Sequence, residues 1–192
     1  MGPTTKLAVT CCVLLALTLS GVAAGATRNA PPKQWVGVFC SSIYTWEQTV
    51  TKQTANLKTT ITKLKNGGSV NLGAARTQLV VYLGRVVSST DTLVHKLKST
   101  GAPAVPNGSK LQAVLLRGIG QIRTAFANGR TAAHALSTTN RAAFAKGAEN
   151  IGTAITAAGN QSQAVLSGLA KYDSKALEDA FKADKTCAKL GG

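Results

Sequence analysis

Residues 77–87 read TQLVVYLGRVV, and two folds compete for them. The β-branched Val80, Val81, Val86 and Val87 favour a strand. A half-buried strand would alternate apolar and polar residues, and this stretch does not. Over the wider window from Val70 to Leu97, the residues Leu72, Leu79, Leu83, Val86, Leu93 and Leu97 fall on one side at steps of three, four and seven. That is helical spacing, so a helix is expected here and the whole chain reads as all-α.

Working back toward the N-terminus, Val36, Phe39, Ile43, Trp46, Val50, Leu57, Ile61 and Leu64 form a second stripe, with Gln53 filling its one gap. This predicts a long first helix from Pro32 to Lys65. Asn66-Gly67-Gly68 should end it, because Asn and Gly tolerate the left-handed cap conformation. Working forward, STGAPAVPNGS at residues 99–109 holds two Pro and two Gly and reads as a loop crossing between two helical hairpins.

A third helix is expected from Lys110 to Leu136 on Leu111, Leu115, Ile119, Ile122, Phe126 and Ala133. A fourth, from Asn140 to Lys171, carries Phe144, Ala148, Ile151, Ile155, Ala158, Ser162, Val165 and Leu169. Their alternating steps suit antiparallel packing at a shallow angle. A last helix, capped by Asp173 or Ser174, should run through Leu177, Ala180 and Phe181 to Cys187. The expected architecture is an antiparallel bundle of four long helices plus a shorter C-terminal helix. The many Ala and Gly of helices three and four imply close approach and a thin core.

Residues 1–26 begin with a single cation, Lys6, continue with an apolar run from Leu7, and end in Ala24-Gly25-Ala26. That order is the pattern of a secretory signal peptide cleaved before Thr27, leaving residues 27–192 as one helical domain. The competing reading is an uncleaved membrane anchor, since Leu7 to Ala26 is uncharged and nearly long enough to span a bilayer. Either way the protein is expected outside the cell or at its envelope. Loss of the leader removes Cys11 and Cys12 and leaves Cys40 and Cys187. In an exported chain two cysteines read as a disulfide, the alternative being two buried free thiols. The bond would tie the first helix to the last. Trp35, Phe39, Trp46 and Phe181 would pack around it, or else line a pocket for an apolar ligand.

A Trp five residues before Cys40, a second Trp six residues after it, an Ala/Thr-rich middle and the terminal SKALEDAFKADKTC resemble exported proteins of high-GC actinobacteria. Members of that group often carry a lipidation Cys at the end of the leader. Val22 stands at that position here, so the resemblance implies an exported but unlipidated bundle. It implies no activity.

Little in the chain suggests catalysis. His95 and His134 have no ligand or carboxylate near them in sequence, so no metal, cofactor or catalytic residue is assigned. Gly118-Ile119-Gly120 lacks the strand and the Lys-Ser/Thr ending of a phosphate loop. Charge is the outward-pointing feature. The net charge is +15, and from Thr27 to Lys146 sixteen basic residues face only Glu47 and Asp91, whereas from Gly147 onward five basic residues balance five acidic ones. Lys110, Arg117, Arg123 and Arg130 are expected to form a cationic stripe along the third helix. Such a surface attracts anionic wall polymers, lipid headgroups or a protein partner; the competing reading is a solvated face that only keeps an Ala-rich chain soluble. Nucleic acid fits less well, because the aromatics sit on core faces rather than among the cations. The function expected is therefore non-enzymatic binding at the envelope. A carrier of an apolar ligand comes second and a hydrolytic enzyme last.

Overall fold

The computed structural model describes residues 29–65, 69–172 and 174–190. The leader expected over residues 1–26, the Asn66-Gly67-Gly68 stop and the Asp173 cap lie outside the described residues, as do the side chains of Leu57, Ile61, Leu64, Ser162, Val165 and Leu169. Four long helices follow one another: α1 Pro32–Lys65, α2 Leu72–Thr100, α3 Gly108–His134 and α4 Arg141–Ser167. A 3-10 segment, Gly168–Tyr172, leads to two short helices, α5 Lys175–Ala183 and α6 Lys185–Ala188. The fold is all-α, and the competition over residues 77–87 resolves to helix. Among the described residues no helix is long and apolar enough to cross a membrane.

Local chemistry sets the helix ends. Pro32 opens α1, where its missing N–H costs nothing. Asn71 caps α2 by accepting from the Ala74 N–H at 2.9 Å. Asn140 caps α4 by accepting from the Ala143 N–H at 3.0 Å, and Ser174 caps α5 through the Leu177 N–H at 3.3 Å. Gly101 ends α2 at φ 83°, a conformation that excludes a Cβ at little cost only for Gly.

Several expected boundaries shift for reasons that lie in tertiary contacts. The loop expected over 99–109 is shorter, because α2 continues to Thr100 and α3 already starts at Gly108. Its centre is not free chain. Ala102–Pro103 pairs in parallel with Asn29–Ala30, in the register Asn29 to Ala102 and Ala30 to Pro103. Gly108 packs so tightly on this segment that a Cβ there would run into the Pro103 carbonyl oxygen. Helix α3 ends at His134 rather than Leu136, and α4 gives way at Ser167 to the tighter 3-10 form instead of reaching Lys171. The single last helix expected through Cys187 is broken at Asp184, which is extended at φ −87°, ψ 116°. Its carboxylate caps the next turn, accepting from the N–H groups of Thr186 at 2.7 Å and Cys187 at 3.1 Å.

Helices adjacent in the chain pack on one another, α1 on α2, α2 on α3 and α3 on α4, while α5 and α6 close onto α1. Side chains of α2 at positions 75, 79, 83, 86, 90, 93 and 97 are buried, a run of three- and four-residue steps. They divide between two apolar clusters. One joins Trp35, Val36, Cys40, Leu93, Leu97, Leu111, Leu115, Ile119 and Leu177. The other joins Leu79, Leu83, Val86, Phe126, Leu136, Phe144 and Ile151. Thr90, fully buried, sits between them on α2. Among the described side chains of α4, Phe144 and Ile151 are buried.

Candidate functional site

The two ends of the chain meet at the disulfide Cys40–Cys187, with the Cα atoms 5.1 Å apart across 147 residues of sequence. The aromatics expected around it are there. The Trp35 ring stacks on Phe39 with centroids 5.3 Å apart and planes 5° from parallel. Phe39 meets Phe181 edge-on at 5.8 Å. Trp46 belongs to the same cluster and donates its indole N–H to the Thr90 hydroxyl at 2.8 Å. Trp35 is only 2% exposed. These rings fill the space around the disulfide by packing on each other.

Sequence spacing did not single out Asp184, yet it stands beside the sulfurs. Its Oδ1 holds the two N–H groups of α6, and its Oδ2 lies 3.5 Å from where a Cβ at Gly37 would be. The carboxylate and the two sulfurs lie within 4.8 Å of one another.

The cations are arranged differently from the expected stripe. Arg123 reaches across to α2 and grips Asp91 with two bonds, Nε to Oδ1 at 2.7 Å and Nη2 to Oδ2 at 3.2 Å. That hydrogen bond is the main reason the Asp91 carboxyl is held below its ordinary value; slight burial opposes the shift and the Arg123 charge adds to it. Arg130 also crosses to α2, its Nε 3.3 Å from the Cβ position of Gly84. Arg117 lies elsewhere, on the groove between α3 and α4. Lys110 stands exposed two residues inside the start of α3. The four residues therefore do not form one line. Six steps from Arg117 to Arg123 turn the helix through about 600°, which carries the second residue to another face.

The sequence reading also missed Arg85, which bridges α2 to α1 by donating Nη1 to Gln53 Oε1 at 3.0 Å. Helix α2 thus runs between Arg85 on its α1 side and Arg123 with Arg130 on its α3 side. Among the described residues, Arg123–Asp91 is the one ion pair within α1 to α3. The acidic residues of α4 and α5 instead pair with lysines of their own helices: Glu149 with Lys146, Asp179 with Lys175 and Glu178 with Lys182. Positive charge therefore stays uncompensated on the first three helices, where Lys52, Lys63, Arg85, Lys96, Lys98 and Arg130 are exposed.

Between α3 and α4 runs an open groove of about 1040 Å³, floored by Ala125, Gly129, Ala154 and Ala158, with Arg117 on its wall. It is a product of small residues on both helices that spacing alone could not locate. His95 and His134, both exposed, lie toward opposite ends of the antiparallel α2–α3 pair. Comparison of the chain with family models, characterised proteins and solved structures finds no match.

Proposed function

We propose that this chain is an exported, non-enzymatic helical bundle that binds an anionic polymer or headgroup surface at the cell envelope through the cations flanking α2. The observation that carries this reading is the distribution of ion pairs. Acidic side chains neutralise lysines on α4 and α5, while α1 to α3 keep their excess positive charge. Arg85 and Arg130 stand on the two flanks of α2, so an extended polyanion lying along that helix meets guanidinium groups on both sides. Guanidinium suits this role because its planar fork binds phosphate and carboxylate oxygens in pairs. The disulfide supports an oxidising compartment.

Binding of this kind is electrostatic and falls with salt, since exposed charges are screened beyond about 8–10 Å at physiological ionic strength. The test is sedimentation of the protein with phosphate-containing wall polymer and with anionic vesicles over a salt series. Retention that vanishes steeply as salt rises supports the reading; no retention at the lowest salt rejects it.

A second reading, an apolar carrier, draws on the α3–α4 groove rather than the Trp-rich end, whose rings pack against each other. The occupant would be a single-chain anionic amphiphile, its head on Arg117 and its chain along Ala125, Gly129 and Ala154. Displacement of a fluorescent fatty-acid probe, blocked by Ala154→Phe, would favour it.

A further inference from the structure

We infer that Cys40, Cys187 and Asp184 form, once the disulfide is reduced, a site for one thiophilic divalent cation of the zinc type. The donor set is two sulfurs and a carboxylate oxygen, contributed by α1 and by the junction of α5 and α6, with all donor atoms within 4.8 Å. Zinc takes thiolate at about 2.3 Å and carboxylate at about 2.0–2.2 Å in tetrahedral array. Those bond lengths place donors about 3.5–3.8 Å apart, so the sulfurs must part from bonded contact while Asp184 draws in slightly. With the Cα atoms 5.1 Å apart, rotation of the two side chains supplies most of that change.

Asp184 is prepared for the role. Its Oδ1 is fixed by the Thr186 and Cys187 N–H groups, so the carboxylate orientation is set before any ion arrives. Its Oδ2 lies against Gly37, where no side chain intervenes. Gly37 and Cys40 are three residues apart on α1 and share a face, so Oδ2 and the Cys40 sulfur approach from the same side. Cys40 is buried, whereas Cys187 and Asp184 are partly exposed and leave a way in for the ion. Three protein donors leave a fourth position for water, the pattern of an open rather than a closed zinc site.

The chemistry balances with a dithiol reductant. It gives two electrons and two protons to the Cys40–Cys187 bond and is itself oxidised to a disulfide; the S–S bond breaks and two thiols form. Binding of the cation then releases both thiol protons to solvent, and the ion sits between two thiolates and the Asp184 carboxylate. A metal crosslink thereby replaces the covalent one between the two ends of the chain.

The test uses the whole mature chain, reduced with a dithiol, freed of it under argon and titrated with Co²⁺. The expected result is a thiolate-to-cobalt charge-transfer band saturating at one equivalent and displaced by Zn²⁺. Oxidised protein and the Cys40→Ser/Cys187→Ser variant should give no band. Asp184→Asn retains a side-chain acceptor for the α6 cap and should weaken cobalt binding at least about tenfold, since even outer partners of metal ligands are worth that much. If reduction costs the chain its helicity, Zn²⁺ should restore the circular dichroism at one equivalent. No band together with no Zn²⁺-dependent recovery overturns the proposal, and so does unchanged affinity in Asp184→Asn, which would leave a bare dithiol.

Discussion

The indole N–H of Trp46 donates a 2.8 Å hydrogen bond to the hydroxyl of Thr90, and that hydroxyl donates in turn to the Val86 carbonyl at 2.8 Å. The pair fastens α1 to α2 at the level where one apolar cluster gives way to the other. Thr90→Val keeps the shape but removes the acceptor from a partly buried donor. It should destabilise the fold by about 1–2 kcal/mol, the cost of stranding such a group. A urea midpoint shift at unchanged slope would measure it; an equal or higher midpoint would mean that packing alone joins the helices there.

The Cys40–Cys187 bond closes almost the whole described chain into one loop. On the chain-entropy relation a loop of this length is worth up to about 5 kcal/mol, less whatever residual structure the reduced chain retains. Metal-free Cys40→Ser/Cys187→Ser should therefore melt about 10–15 °C below the wild-type protein at this size. A loss under about 2 °C would show that the helices hold the termini together without the crosslink.

Gly108→Ala should be among the most damaging single-methyl additions in the chain. The new Cβ meets the backbone carbonyl of Pro103, which is held in place by pairing with Asn29–Ala30 and cannot swing aside like a side-chain tip. We expect a loss of about 3 kcal/mol, at the upper end of overpacking costs, read as a lowered denaturant midpoint. Ala at Gly120 or Gly152, where no described atom beyond the local helix backbone lies within 4 Å of the added Cβ, should leave the midpoint unchanged or slightly raised.

Asp91 gives a pH dependence with a definite sign. Its folded carboxyl is held below the ordinary value, chiefly by the hydrogen bond from Arg123, so the folded state binds fewer protons than the unfolded one. The pair's contribution is complete above the unfolded pKa of about 3.9 and disappears as pH falls through the lower folded value. Both partners are about half exposed, so the effect is small. Asp91→Asn should unfold slightly more easily than the wild type at pH 7, and the difference should close below about pH 4. A difference that does not shrink as pH falls below about 4 would place its origin elsewhere.

Much of this architecture is legible in the residues themselves. Pro32 marks the start of α1, the stripe from Leu72 to Leu97 overrides the β-branched residues of 77–87, and Cys40 and Cys187 pair as the exported-chain reading expects. What escapes that reading depends on partners distant in sequence. The break at Asp184 arises because a carboxylate caps the turn beyond it, and the segment at Ala102–Pro103 is ordered by Asn29–Ala30. The expected line of Lys110, Arg117, Arg123 and Arg130 failed on helical geometry, since the six-residue step moves Arg123 and Arg130 toward α2 and leaves Arg117 facing α4. Periodicity fixes which residues share a face, but not which neighbour that face meets.

The placement of charge makes the binding proposal specific enough to be wrong. The deciding measurement is the slope of log affinity against log salt for wall polymer, compared between the wild-type protein, Arg85→Glu/Arg130→Glu on the flanks of α2, and Lys110→Glu/Arg117→Glu away from them. The two variants change net charge equally. If polyanion binds along α2, the first variant should lose at least about tenfold in affinity at physiological salt and show a shallower slope, since fewer counterions are released, while the second stays near wild type. Equal losses in both variants would mean that net charge alone attracts the polymer and that α2 carries no site.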